Sequence, residues 1–365
     1  MTRAVSSGGW LFSRNVDLVA FGGSALLSLA MLAVGGAAGV LHGVTPGWAW
    51  VPAVLLVDVA HVWSTAFRTY FDRKERARRP VLYTVVPIAC FAVAFSVCRI
   101  SEQLFWRALA YLAILHFVRQ QAGWVMLYRA RAGERRGGVS HVLDLAAIYA
   151  ATLGPLAFWH AHLPRRFDWF VPGDIIALPR VAFIPIAALA LTAFVGWAVY
   201  TCIMHLSRRT PAVPGKVLVI LTTAVTWTLG MVVFDSDYAF TVTNVFAHGI
   251  PYVCLVFFYQ RRAEEVRRES RSVLMKSIFA FASVLFLLAY AEELFWDRGV
   301  YHERTWLFGD AADDLGGVRS LLLPLLSLPQ LTHYVLDGFI WRRANNPVLA
   351  RMWDPPEDQK AGGSA

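Results

Sequence analysis

Apolar stretches of about 20 residues recur along the chain, each long enough to cross the hydrocarbon core of a bilayer as a helix, and short polar clusters separate them. Ten such spans are predicted, over residues 16–41, 48–71, 81–98, 104–128, 139–160, 181–205, 217–234, 238–259, 273–291 and 318–341. The clusters between them alternate in sign. Residues 72–79, 129–136, 208–216 and 260–268, with Arg3, Arg14, Arg342 and Arg343, are rich in arginine and lysine. The opposite set includes Asp235, Asp237 and the acidic segment from Glu292 to Asp314. Basic loops stay on the cytoplasmic side, so the alternation predicts both termini in the cytoplasm. The expected fold class is all-α, a polytopic membrane helix bundle of about ten transmembrane helices. Residues 1–345 form one transmembrane domain and residues 346–365 a polar cytoplasmic tail, in the cytoplasmic membrane.

Local signals add detail. The first span is too long for a signal-peptide core, and its Gly35 and Gly39 are spaced for close approach of another helix. Aromatic and charged residues mix over 164–170, which predicts a loop at the membrane interface. Tyr70, Tyr128, Tyr259 and Trp341, near the inner span ends, read as an aromatic belt.

Composition narrows the function. The net charge of +9 would suit a nucleic-acid binder, but the cations lie in the topology-setting clusters, so no nucleic-acid partner is expected. Cys90, Cys98, Cys202 and Cys254 lie in or at the ends of spans without a C-x-x-C pair, which leaves neither a disulfide framework nor a cysteine-rich zinc site.

The chemistry sits in midspan histidines. Residues 330–339 read QLTHYVLDGF, placing His333 and Asp337 four apart on one helical face within an apolar stretch. Asp58 with His61, His116 with Gln120, and Asn244 with His248 repeat the pattern on three further spans. The first basic residue after each of the four spans follows its histidine by 12, 13, 13 and 9 residues, which at about 1.5 Å of rise per residue puts all four histidines at one depth. These spans also run in one direction. Ionisable residues inside a membrane are costly and mark function by default. Imidazole suits iron, zinc, copper and nickel, with carboxylates completing the ligand set or orienting the imidazoles. The expected metal ligands are therefore His61, His116, His248, His333, Asp58 and Asp337, with Gln120 and Asn244 behind them. Arg68 and Arg119 lie on the cytoplasmic side of the layer, where they could hold a carboxylate or phosphate of a substrate or membrane lipid. His42, His141, His160, His162, His205 and His302 read as peripheral, and His141 is spaced to bond Asp144 along one helix.

A metal at this depth is placed for a lipophilic small-molecule substrate. Histidine ligation with carboxylates suits non-haem iron, as one ion or two. In plan the arrangement resembles integral-membrane histidine-ligated oxygenases, especially the retinal-forming β-carotene dioxygenase family. That resemblance implies iron held by His61, His116, His248 and His333. The chemistry also resembles that of membrane fatty-acid desaturases, whose H-x-x-x-H and H-x-x-H-H boxes this chain lacks. The expected function is a membrane-embedded iron oxygenase performing hydroxylation, desaturation or oxidative cleavage. No nucleotide-binding glycine motif is present, so external electrons would come from an electron-transfer partner. Haem ligation by two of the histidines, and transport of metal or protons through the same layer, are the other readings.

Overall fold

The computed structural model describes residues 9–207, 213–267, 277–310, 318–342, 346 and 348–349. Arg3, Arg208, Arg209, Arg268, Arg343, Asp313, Asp314, the start of the ninth predicted span and most of the polar tail lie outside the described residues. Among the described residues the chain is helical, with no strand. In chain order the helices are α1 (Arg14–Ala37), α2 (Gly47–Arg68), α3 (Arg73–Arg78), α4 (Pro80–Ile100), α5 (Glu102–Arg131), α6 (Val139–Ala161) and α7 (Arg180–Leu206). They continue with α8 (Pro214–Val233), α9 (Asp237–Val266), α10 (Ile278–Tyr301), α11 (Thr305–Phe308), α12 (Arg319–Leu326) and α13 (Leu328–Ile340). Several start where a side chain takes up orphan backbone N–H groups. Ser101 accepts from Leu104 N, Ser236 from Ala239 N, and Asp72 from Lys74 N and Glu75 N.

Eight helices (α1, α2, α4, α6, α7, α8, α9 and α10) are long and apolar enough to cross a membrane, which marks a multi-pass membrane protein. Two predicted spans depart from this set for identifiable reasons. Helix α5 has 30 residues and extends about 45 Å, but Arg107, Arg119, Gln120 and Gln121 dilute its apolarity. The tenth predicted span is not one helix. It is interrupted for one residue at Ser327 between α12 and α13, where Pro329 in the first turn of α13 offers no backbone N–H, while Ser327 N and Oγ both bond Leu323 O and Leu331 N bonds Ser327 O across the interruption.

The histidine-bearing helices occupy the middle. In their most apolar stretches α9 is 72% buried and α2 56%, against 6% for α7 at the periphery. Hydrogen bonds at both ends show that α2, α9 and α13 run parallel. Thr45, just before α2, bonds Asp237 at the start of α9, while Gln260 of α9 bonds Phe67 O, and Arg68 bonds Ile340 O. At the start of α5, Glu102 pairs with Arg319 at the start of α12, so α5 shares that direction. The ends of α2, α5, α9 and α13 gather the basic clusters, and their starts gather acidic residues. We call these the basic and acidic ends.

Close approach of α2 and α9 depends on Gly249. A Cβ there would lie 2.6 Å from Val57 Cγ1 and 3.2 Å from Val57 O, so only glycine lets the backbones meet beside His61 and His248. Of the predicted glycine pair, Gly35 packs against the Tyr238 ring of α9, where a Cβ would lie 2.1 Å from it. Gly39 lies beyond the helix, with φ +73° in the following turn.

The loop over 164–170 is partly folded back onto the helices. Phe167 is buried, Trp169 and Phe170 pack with it against α5, α6 and α9, and Asp174 fastens the loop through Phe170 N and Val171 N at 2.6 and 3.1 Å. These aromatics pack against neighbouring helices, with Trp169 and Phe170 half-buried. Tyr128 and Tyr259 are fully buried, bonding Asp17 and Asn346, and so depart from the belt reading, while half-buried Trp341 bonds Asp337.

Candidate metal centre

One histidine from each of α2, α5, α9 and α13 enters a shared buried cluster. All four are sealed from solvent, with 1% of His61, 6% of His116, 1% of His248 and 1% of His333 exposed. His61 Nε2 lies 3.1 Å from His248 Nε2, and His116 Nε2 lies 3.1 Å from His333 Nε2. Ring centroids of His61 and His333 are 5.1 Å apart, and those of His116 and His248 also 5.1 Å. Ligand atoms of His61, His116 and His248 fall within 4.8 Å of one another, as do those of His116, His333 and Asp337. His116 belongs to both groups, so they are parts of one cluster.

The donor set fits a metal. Two nitrogens bound at ~2.1 Å to one ion stand roughly 3.0–3.4 Å apart, for right-angled and tetrahedral pairs respectively. The observed 3.1 Å edges fall within that span. Without an ion, a neutral imidazole has one donor and one acceptor nitrogen, so one Nε2 of each pair donates to the other.

Both predicted carboxylates lie on the Nδ1 side of the imidazoles. Asp58 Oδ1 is 3.5 Å from His61 Nδ1, Asp337 Oδ2 is 3.8 Å from His116 Nδ1, and Asp337 Oδ1 is 4.0 Å from His333 Nδ1. These are charge contacts longer than a hydrogen bond, and His61 Nδ1 has no hydrogen-bond partner among the described residues; the Nδ1 side is where a partner that orients a metal-bound imidazole would stand. Gln120 bonds the backbone carbonyl of His248 at 2.8 Å and so ties α5 to α9. Asn244 gives its amide N–H to Phe240 O at 2.9 Å, leaving its buried Oδ1 without a hydrogen-bond partner.

A hydrogen-bonded chain beneath the histidines was missed in the sequence. His333 Nδ1 lies 2.7 Å from Thr65 Oγ1, which lies 2.9 Å from Tyr252 Oη. Tyr252 Oη donates to Asp337 Oδ1, and Trp341 Nε1 donates to the same oxygen at 3.2 Å. Because Asp337 only accepts when ionised, one proton order satisfies the series: His333 to Thr65, Thr65 to Tyr252, Tyr252 to Asp337. With Asp337 ionised, that order keeps the proton of His333 on Nδ1 and makes its Nε2 the acceptor toward His116 Nε2. A signal existed, since Thr65, Tyr252 and Trp341 each follow His61, His248 and Asp337 by four residues on the same helical face.

The two arginines are not brought to the centre. Arg68 is fully buried one level toward the basic end, with Nη1 3.3 Å from Glu75 Oε2 and its guanidinium carbon 4.3 Å above the Tyr259 ring. Arg119 is exposed on the face of α5 that carries exposed Leu112 and Leu115. Of the peripheral histidines, His160 is satisfied by Tyr111 Oη at 3.0 Å and Leu156 O at 2.7 Å, and His162 by Phe158 O. Asp144 bonds Arg129, Lys216 and Trp197 rather than His141.

From the acidic end a cavity of about 380 Å³ reaches Asp58, Asn244 and Tyr334 at the edge of the cluster. Leu109 and Phe117 of α5, with Trp169 and Phe170 of the folded-back loop, give it apolar lining, while Asp58 of α2 and Glu292 and Glu293 of α10 give it carboxylates. No protein-family model, curated protein or solved structure matches this chain.

Proposed function

We propose that the chain is a ten-span protein of the cytoplasmic membrane, with both termini on the cytoplasmic side, that holds iron at its four midspan histidines. In this reading it oxidises a lipophilic substrate by hydroxylation, desaturation or oxidative cleavage. One observation carries it: buried imidazoles from four separate helices meet in two adjoining pairs, each with its Nε2 atoms 3.1 Å apart, with carboxylates on their Nδ1 side. Iron held by such ligands with open positions activates dioxygen and oxidises unactivated carbon.

The chain's own residues supply the rest. Thr65, Tyr252 and Asp337 fix the His333 tautomer. Leu109, Phe117, Trp169 and Phe170 line the cavity against water and suit an apolar substrate. Arg68 is committed to Glu75, so the apolar wall is the better candidate for substrate contact. Exposed Arg119 suits a membrane-lipid anion. Hydroxylation or desaturation would draw electrons from a partner protein, whereas dioxygenolytic cleavage draws none. Haem fits less well, because a haem iron takes its axial nitrogens on opposite faces of a macrocycle and nitrogens 3.1 Å apart leave no room between them.

Metal content of detergent-purified protein, measured by mass spectrometry, tests the centre. Wild type should carry stoichiometric iron, and His61→Ala, His116→Ala, His248→Ala and His333→Ala should each fold with at least about tenfold less. Folded variants that all keep their iron would refute a shared site. A metal transporter is the second reading, favoured by the carboxylate-lined cavity and by the helix break at Ser327, a feature of midspan transport sites. Metal flux into proteoliposomes, with metal exchanging freely at the histidines, would select it.

A further inference from the structure

The two approaches to the histidine cluster have opposite chemistry. Toward the basic end the cluster is closed by the Thr65, Tyr252, Asp337 and Trp341 hydrogen bonds, and beyond them lies Arg68 with no exposure. Further out, Arg78 and Arg79 add positive charge around Glu75. A cation arriving from that side meets a bonded floor and a buried guanidinium. From the acidic end, five carboxylates (Asp58, Asp237, Glu292, Glu293 and Glu303) line the cavity against one arginine, Arg304. The Arg304 guanidinium carbon lies 4.1 Å above the Trp50 ring and one of its nitrogens 3.1 Å from Glu303, both residues being part of the same wall.

Size and an orphan acceptor favour a hydrated ion. Six waters at ~30 Å³ each occupy about 180 Å³, which the cavity of about 380 Å³ admits. At its inner end Asn244, 1% exposed, has a side-chain oxygen with no hydrogen-bond partner. Beside it Asp58 reaches His61 Nδ1 at 3.5 Å. Glu292 is held at the wall by Trp63 Nε1 at 2.6 Å. The carboxylates do not form a closed group within 4.8 Å among the described residues, so they suit passage rather than a resident ion.

We propose that this cavity is a cation-binding vestibule through which a hydrated divalent transition-metal ion reaches the histidines. Glu303 and Asp237 attract the ion at the mouth. Glu292 and Glu293 take it along the wall, and Asp58 and Asn244 replace waters before the imidazoles do. No bond to carbon changes and no electron moves in this step. The inference rests on the metal-centre reading above and adds to it a side and a route of loading.

The test uses the full-length chain in detergent, stripped of metal and mixed anaerobically with cobalt(II), whose visible ligand-field absorption reports histidine binding. Glu292→Gln combined with Glu293→Gln should slow loading about tenfold at unchanged final absorbance and stoichiometry. Glu303→Lys, at an exposed position where folding is not at stake, should slow it several-fold. Wild-type loading should fall with added salt, as electrostatic steering does, and Arg78→Gln at the basic end should leave it unchanged. Equal rates in wild type and all vestibule variants, or faster loading in Arg78→Gln alone, would overturn the route while leaving the centre intact. Lost final occupancy at an unchanged rate would make the glutamates resident ligands and also overturn it. A wild type that binds no cobalt removes the metal centre, and the route falls with it.

Discussion

Thr65 carries more of the site than its ordinary side chain suggests. Its hydroxyl lies 2.7 Å from His333 Nδ1 and 2.9 Å from Tyr252 Oη, so with Asp337 ionised it accepts from the first and donates to the second. Thr65→Val keeps the shape of the side chain and removes only that hydroxyl, so His333 is freed to place its proton on Nε2, the nitrogen that faces His116. Removing an orienting partner of a metal-bound histidine typically costs 10–100-fold in metal affinity. Competition with a chelator of known affinity should show that loss in Thr65→Val, with helical content retained by circular dichroism. An unchanged affinity would mean that the chain beneath His333 is packing alone. The four histidines were legible in the sequence because charge and apolar length fixed their depth. Thr65 and Tyr252 left only their four-residue spacing from His61 and His248 as a trace, since neither residue type is unusual inside a span and their role exists only where α2, α9 and α13 meet.

At the scale of the helix, the site depends on how near α2 comes to α9. Gly249 sets that distance, since an added Cβ meets Val57 Cγ1 at 2.6 Å and Val57 O at 3.2 Å. Gly249→Ala must therefore part the helices next to His61 and His248, at an overpacking cost of about 1–3 kcal/mol. Gly123 on α5 is the control, because a Cβ there meets nothing within 4 Å and alanine favours a helix over glycine by roughly 0.5–1 kcal/mol. Thermal unfolding in detergent should fall for Gly249→Ala and hold or rise for Gly123→Ala. A parallel response of the two would remove the close-approach argument. Helix existence was readable from apolar length alone, and most spans end within a few residues of expectation. What hydropathy could not supply was the break at Ser327, where serine and Pro329 interrupt an otherwise apolar run. Nor could it supply the inward fold of Trp169 and Phe170, whose residue types serve an interface equally well.

Across the whole molecule the ends are held by charge, and Glu75 is the centre of the basic one. Its carboxylate lies 3.3 Å from Arg68 Nη1 and 2.7 Å from Arg78 Nη2, and it accepts from Tyr83 Oη at 2.8 Å. It thus ties α2, α3 and α4 together outside the apolar stretches. Burial alone would raise its affinity for a proton, but Arg68, the Tyr83 hydroxyl and Arg78 outweigh burial and hold the carboxyl below its ordinary value. A group depressed in the folded state binds its proton more readily once the chain unfolds, so stability rises with pH between the two values. The contribution is fully present above the unfolded carboxyl value, about 4.3 for glutamate, and is lost as pH falls through the lower folded value. Glu75→Gln keeps the shape but strips the charge, leaving buried Arg68 without its counter-ion, a loss on the order of 3 kcal/mol. Unfolding temperatures of wild type and Glu75→Gln should therefore differ most near neutral pH and converge below about pH 4. A gap that stays constant down to pH 3 would mean that Arg68 is held by the Tyr259 ring and Ile340 carbonyl, and that the basic end does not depend on the charge of Glu75.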